Sequence, residues 1–416
     1  MAYGDFSGLW RYVHKTFEVP RLLGRLTDGR RDPKVSLGAL ALTWLFAFMR
    51  RLPSTEQAGD LLNDPRWRKL IGLMDRDGGS PDTLARALDQ LTPGDLNDLL
   101  LRVFFQARRA SILKDDGPFG KRCAIVDMNE LFTSEKVHCE NCQVRVKKKA
   151  GPDGTVCQVK EYFHQAVALV WASAEVAWPI GWELLEPGEG EWTAAKRLLK
   201  RLLPELRQSL DLVMGDALYC CRDFLKLVRE AGLSPLAISS GQTEMDGEMN
   251  LLMETEVPKR MLGQDVDMWE MESEAWEKDV GCKLRVLHYR RVYSAKEWKH
   301  ERRELRLVTS CPVAVLPVGQ GWLVGRGRWR IENGTFNLQT RFHGLTHNYH
   351  HQPVAILALL VFRSIAQCLV WAYQRFATAR SKSAPKTFLA WFNKVLVEDW
   401  VRFLDGTLVA ANPLTG

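Results

Sequence analysis

A chain of 416 residues is too long for a single core, so two or three domains are expected. An apolar fraction of 46% beside 26% charged residues is that of a soluble globular protein, which excludes a disordered or low-complexity chain. The formal net charge of +7 permits a polyanionic partner without requiring one, because binding depends on where the charge sits.

Residues 1–116 read as a mostly helical domain. Leu37, Leu40, Leu42, Leu45 and Phe46 recur at helical intervals, and further helices fit Thr55–Leu62 and Pro81–Leu91. Ser80-Pro81-Asp82 suits a helix start, with a capping hydroxyl ahead of a first-turn proline. The two shorter helices, separated by a Gly-Gly-containing turn, fit either a helix-turn-helix or an ordinary helical bundle.

From Lys121 the texture changes, and 117–240 reads as an α/β unit. Cys123–Val126 predicts a strand, and Tyr162–Trp171 with Val176–Leu184 predicts a hairpin about Ser173-Ala174-Glu175. An amphipathic helix over Trp192–Leu203 carries Leu198, Leu199, Leu202 and Leu203 on one side. Strand 212–215, helix 222–231 and strand 234–239 then complete a mixed sheet.

Over 241–312 the alternation stops. An acidic, Met-rich segment, Glu244–Glu274, precedes strands at Lys283–Tyr293 and Glu304–Ser310, whose branched and aromatic residues suit a β-rich insertion. Helix resumes at Gly325–Phe342, 353–377 and about 386–404. This gives a second core segment over 313–377 and a C-terminal helical region over 378–416. The apolar stretch Pro353–Tyr373 is interrupted by Arg363 and Gln367, and reads as a buried helix rather than a membrane span. Nine cysteines do not suggest a secreted disulfide scaffold, and Met1–Arg11 lacks the apolar core of a signal peptide. A cytoplasmic protein without membrane attachment is expected.

Three carboxylates carry the chemistry. Asp127 ends the apolar run Cys123–Val126, and Asp216 ends the run Leu212–Gly215. A lone aspartate in such a place commonly caps the following turn. Two of them, each at the carboxyl end of a predicted strand, stand where open α/β sheets bind ligands. Glu332 lies in Arg328-Trp329-Arg330-Ile331-Glu332-Asn333. Helical spacing sets Arg328, Glu332 and Gln339 on one face. The arginine then either reaches a phosphate oxygen or forms a surface ion pair worth about a few tenths of a kcal/mol. Together the three carboxylates can hold two hard divalent cations against a phosphodiester, which points to cutting or joining nucleic acid.

The segment Arg328–Asn337, with His347 and His350 downstream, resembles the carboxyl-terminal signature of DDE transposases from bacterial insertion sequences. The match is to the cut-and-paste group with a β insertion before the glutamate. Val213–Tyr219 is similar to that group's second motif and Ala124–Asp127 to its first, in the right order. The resemblance covers about 120–375. It implies a ribonuclease-H-like catalytic core, with helices in 1–116 supplying recognition of DNA ends. It also implies that Asp127, Asp216 and Glu332 bind Mg²⁺, with Mn²⁺ able to substitute, and catalyse cleavage at transposon ends and strand transfer into target DNA.

The implied partner is double-stranded DNA, both terminal inverted repeats and target, held by a homodimer. The implied setting is the bacterial cytoplasm, in association with the nucleoid. Arg326, Arg328, Arg330, Asn333, Gln339 and Arg341 are the expected DNA contacts near the glutamate. The family usually has a tyrosine three residues before the arginine and a lysine seven after the glutamate; this chain has Gly325 and Gln339. Those departures motivate an alternative, a catalytically impaired, transposase-derived, sequence-specific DNA-binding protein. A general metal-dependent nuclease of the same fold is a third reading.

Between the first two aspartates, His138-Cys139-Glu140-Asn141-Cys142 is followed by Cys157 and His164. Cys-x2-Cys places two thiolates on one tight turn, as tetrahedral zinc requires. Cys139, Cys142, Cys157 and His164 are the candidate donors for a structural Zn²⁺, with His138 an alternate; unligated cysteines in a reducing compartment are the other reading. Lys147, Lys148 and Lys149 follow, either as a solvated loop or as phosphate-backbone contacts near Asp127. Trp269, Trp276 and Trp298 could stack on a displaced base or pack in a core.

Overall fold

Two short apolar runs pair side by side at the centre of the sheet. In this computed structural model the described residues are 5–73, 79–113, 120–150, 156–172, 176–261, 265–292, 304–380 and 388–405. Strand β1 is Cys123–Ser134, β2 Gln143–Ala150, β3 Val156–Ala172, β4 Ala177–Leu184, β5 Leu212–Gly215 and β6 Ser234–Ile238. The first four residues of β1 and all of β5 are buried, as befits strands covered on both faces. β1 and β5 run parallel, as do β5 and β6, while β3 lies antiparallel between β1 and β4.

The order β4-β3-β1-β5-β6, an antiparallel trio followed by two strands parallel to β1, is the ribonuclease-H-like arrangement. Helix Glu191–Leu206 connects β4 to β5 and buries Leu198, Leu199, Leu202 and Leu203. Helix Arg222–Glu230 connects β5 to β6 and buries Phe224, Leu225 and Val228. The expected hairpin turn at Ser173-Ala174-Glu175 lies outside the described residues.

The segment expected as a β insertion continues this sheet. Strands β7 (Lys259–Arg260), β8 (Val266–Ser273), β9 (Leu284–Arg291) and β10 (Glu304–Thr309) add in the order β6-β10-β9-β8-β7. β10 pairs antiparallel with β6, Leu307 opposite Ile238. The acidic, Met-rich stretch begins as a helix, Glu244–Thr255, started by a capping box in which Thr243 and Asp246 exchange hydrogen bonds with each other's backbone.

A helical layer covers the rest. Its amino-terminal part comprises Phe6–Lys15, Val19–Leu23, Leu37–Met49, Thr55–Asn63, Pro65–Leu70, Pro81–Asp89 and Pro93–Arg109. Ser36, Ser54 and Thr92 cap the helices after them through side-chain oxygens. Helix Leu37–Met49 is buried almost all round, which explains why its apolar residues show little facial preference. Between Thr55–Asn63 and Pro81–Asp89 stands the helix Pro65–Leu70, so no short turn joins the outer two as in a helix-turn-helix.

The long helix Pro353–Arg380 has the length and apolarity of a membrane span, yet its most apolar window is 89% buried inside the protein. Tyr373 Oη donates to the Asp5 carbonyl at 3.1 Å, and Phe6, Trp10, Phe46, Trp67 and Trp400 form one aromatic cluster. The two ends of the chain therefore share one core.

Candidate active site

The register of β1 and β5 sets the first two carboxylates side by side. Cys123 lies opposite Leu212 and Ile125 opposite Met214. The same register carried two residues further brings Asp127 level with Asp216. Asp127 is still within β1, facing Ala168 of β3, and its Oδ1 accepts from the Met128 amide at 2.9 Å. Asp216 heads the 3-10 turn Ala217–Tyr219, and its Oδ1 accepts from the Leu218 amide at 2.9 Å. That turn folds back over Gly215, where a Cβ would press into the Tyr219 side chain, so glycine is needed there.

Glu332 arrives from the other end of the chain, on a helical run that is not uniform. Val318–Arg326 is α-helical, Gly327–Trp329 a 3-10 turn, Glu332–Phe336 a π-helical turn and Asn337–His343 α-helical again. The Arg328 guanidinium is buried and spans two carboxylates. It meets Asp127 Oδ2 at 3.1 Å and Glu332 Oε1 at 3.2 Å. Glu332 is thus drawn to Asp127 through Arg328.

Burial pushes the Asp127 carboxyl up to about 6; Arg328 and the Met128 amide oppose this, while Asp216 and Glu332 add to it as neighbouring negative charges. A fourth carboxylate, Glu191, belongs to the same field. Burial pushes it up to about 7, the Tyr219 hydroxyl opposes this by donating to Oε1 at 2.7 Å, and Asp127 and Asp216 reinforce it. Sequence reasoning missed Glu191 because it opens a connecting helix rather than ending a strand. The signal was the Gly190-Glu191 helix start after β4, which in this topology faces the ends of β1 and β5. Carboxylate oxygens are the hard donors that Mg²⁺ or Mn²⁺ accepts, so the donor chemistry suits such an ion, although in this structure the Arg328 guanidinium stands between Asp127 and Glu332.

The other expected contacts divide. Arg326, Asn333 and Arg341 are exposed and Arg330 is half-buried; Asn333 Oδ1 accepts from Asn337 Nδ2 at 3.2 Å. Gln339 does not share their surface. It is fully buried, and its Nε2 donates to Ser364 Oγ at 3.1 Å on the long helix. The π turn between Glu332 and Gln339 breaks the 3.6-residue spacing that set them on one face, so a DNA contact from Gln339 is ruled out by burial. Gly325 is also interior, for a Cβ there would lie 2.9 Å from side-chain atoms of Leu305 and Leu307 on β10.

Lys147, Lys148 and Lys149 form part of β2 rather than a loop. Lys147 pairs with Glu161 and Lys149 with Glu135, each at 2.7 Å. Lys147 lies opposite Val159 of β3 and Asp127 opposite Ala168. Nine residues of strand separate them, about 30 Å at the usual rise. The lysines are therefore not neighbours of the carboxylates. Trp269 and Trp276 are buried in the insertion, as packing residues; Trp298 lies outside the described residues.

Three of the four expected zinc donors come together and the fourth does not. Cys139 Sγ lies 3.7 Å from Cys142 Sγ, and His164 Nε2 lies 3.5 and 3.3 Å from the two sulfurs. Cys157 is exposed towards the far end of the β2–β3 pair, its thiol donating to the Lys149 carbonyl at 3.4 Å. His351 takes its place in the cluster. His138 instead stacks on Tyr162, ring centroids 4.3 Å apart.

Comparison with known proteins places part of the chain in a family. Residues 189–369 match the family model described as "Transposase DDE domain". That span includes Asp216 and Glu332, while Asp127 precedes it. The chain therefore carries a DDE transposase domain. No curated protein matches the chain. Among solved structures, one described as "Cryo-EM structure of piggyBac transposase synaptic complex with hairpin DNA (SNHP)" is similar at 12% identity with a TM-score of 0.47, over 98% of this chain and 83% of that one. That likeness is too distant to transfer a residue role.

Proposed function

We propose that the protein is a DNA transposase whose Asp127, Asp216 and Glu332 hold divalent metal, Mg²⁺ in the first place, for cleavage at element ends and strand transfer into target DNA. The observation that carries this reading is the convergence of the three carboxylates: two level on adjacent parallel strands, the third tied to Asp127 through Arg328. Metal bound there would supply Lewis-acid polarisation of the phosphodiester and a more acidic attacking hydroxyl. The residues themselves hold the charge in place. Asp127 and Asp216 are fixed by backbone amides, and Arg328 keeps Glu332 within reach of Asp127. Exposed Arg326 and Arg341, with half-buried Arg330, lie on the same helical run as Glu332 and suit the phosphate backbone of double-stranded DNA. A homodimer on two inverted-repeat ends in the bacterial cytoplasm belongs to the same reading.

The test is cleavage of an element-end duplex in Mg²⁺. Asp127→Ala, Asp216→Ala and Glu332→Ala each abolish nicking and strand transfer while DNA retention stays within about two-fold of wild type, a change of about 0.4 kcal/mol. Full cleavage by all three variants overturns the assignment. Nicking without strand-transfer products points instead to a general nuclease of this fold.

A second reading, a transposase-derived DNA-binding protein that no longer cuts, draws support from Gly325 and Gln339. Both positions face the interior, so neither can handle a strand end in the way a surface tyrosine or lysine would. It predicts specific retention of end DNA with no nicking of a pre-cut substrate in Mg²⁺ or Mn²⁺.

A further inference from the structure

We propose that Cys139, Cys142, His164 and His351 bind a structural Zn²⁺ that clasps the segment after the Glu332 helix to the strands flanking Asp127. The ligand atoms of all four residues lie within 4.8 Å of one another. Tetrahedral zinc, with bonds of about 2.3 Å to sulfur and about 2.0 Å to nitrogen, requires a sulfur–sulfur edge near 3.8 Å and sulfur–nitrogen edges near 3.5 Å. The distances here are 3.7 Å between the sulfurs and 3.5 and 3.3 Å from them to His164 Nε2. The cysteine turn is also shaped for a thiolate. The Cys142 amide donates to the Cys139 carbonyl at 3.2 Å, and the Cys139 amide donates to Cys142 Sγ at 3.3 Å.

An orphaned nitrogen completes the site. His351 Nδ1 is buried without a hydrogen-bond partner, while its Nε2 contacts the side-chain amide of Asn348. Asn348 Oδ1 is likewise buried and unpaired. Metal on Nδ1 leaves Nε2 protonated, as a donor. Turning the Asn348 amide through half a turn then sets Oδ1 against that N–H. The ion therefore gives His351 Nδ1 its missing partner, and the asparagine oxygen fixes the imidazole as metal-bound histidines usually require.

Four protein donors leave no open position, which makes the site structural rather than catalytic. Its ligands come from the β1–β2 turn, from β3 and from the segment that leads into helix Pro353–Arg380. The Cys139 sulfur lies 3.2 Å from the His351 carbonyl oxygen, a thiol hydrogen bond that a zinc-bound thiolate would give up, and the Phe132 ring of β1 lies beside both histidines.

The test is metal content of the full chain purified under reducing conditions from zinc-supplemented medium, paired with Co²⁺ substitution. Wild type and Cys157→Ser carry stoichiometric zinc, and their Co²⁺ forms show the d–d bands and thiolate charge transfer of a tetrahedral site. Cys142→Ser and His351→Ala lose the zinc, His351→Cys regains it, and Asn348→Ala binds it about 10- to 100-fold more weakly. The rescue by His351→Cys separates ligation from a folding defect. Zinc-free wild type, a Cys139–Cys142 disulfide in place of metal, or loss of zinc in Cys157→Ser overturns the proposal. None of these readouts depends on DNA cleavage, so failure of the transposase reading leaves the test intact.

Discussion

Arg328 Nη1 meets Asp127 Oδ2 at 3.1 Å across 201 positions of sequence. The contact joins a helix near the end of the chain to the first strand of the core. The same guanidinium reaches Glu332, so one cation stands between two carboxylates that otherwise repel each other.

Arg328→Gln is expected to unbalance that buried charge. Removing one partner of a buried pair costs about 3–5 kcal/mol. The unfolding midpoint of the variant in EDTA should fall accordingly. Added Mg²⁺, as an alternative counter-charge, should recover more stability in the variant than in wild type. Equal recovery in both would sink the idea that metal and arginine compensate the same carboxylates.

The acidities of Asp127 and Glu191 set a pH dependence with a definite sign. Both lie above their values in an unfolded chain, about 3.9 and 4.3, at about 6 and about 7 respectively. Their contribution to stability is thus fully present below about pH 4 and is lost as pH climbs through about 6 and then about 7. In EDTA, denaturant midpoints should decline across that window more steeply in wild type than in Asp127→Asn. Mg²⁺ affinity, measured by titration calorimetry, should rise over the same interval as the protons leave.

Glu191→Gln offers a sharper version. It removes the carboxyl with the higher of the two values, about 7, so the upper limb of the Mg²⁺ affinity curve should be lost and its midpoint should move to lower pH. Tyr219→Phe withdraws the hydroxyl that opposes the high pKa of Glu191, and should move it to higher pH. Identical pH profiles for both variants and wild type would falsify a role for this pair in tuning the site.

Gly325→Tyr tests whether the missing surface tyrosine is a matter of space. The helix Val318–Arg326 packs directly on Leu305 and Leu307, so the larger side chain should overpack the contact and cost about 1–3 kcal/mol. Unchanged thermal stability would show that the position opens outward.

Gln339→Ala should weaken the fold rather than DNA binding. It removes the bond from Gln339 Nε2 to Ser364 Oγ, which Trp182 Nε1 still holds at 2.9 Å, so the hydrogen-bond loss is about 0.5–1.5 kcal/mol. End-DNA affinity per folded molecule should stay at the wild-type level in filter binding.

The core was legible wherever a strand is buried on both faces. Cys123–Val126 and Leu212–Gly215 announce themselves as apolar runs, and the aspartates that end them lie level in the sheet. The contact of Arg328 with Glu332 was readable from their spacing of four residues. What failed was extrapolation along a regular period. A π turn follows Glu332, and no local residue choice gives away the extra residue, so Gln339 points inward. The Cys/His cluster failed differently. His351 is 212 positions from Cys139, and only the folded chain brings it into the place that spacing offered to Cys157. Glu191 was hidden because its importance comes from neighbours on other elements rather than from its own context.

The pairing of β10 with β6 makes the segment between them a closed excursion, leaving the core at one strand and returning to its immediate neighbour. Material in that loop can be lengthened, shortened or exchanged without altering the distance the chain must cover to deliver Glu332 to Asp216. The same strands occupy the edge that β6 would otherwise present as a row of unpaired amides and carbonyls. The excursion is therefore both the part of the molecule freest to diverge and the part that shields the core's flank from pairing with another sheet.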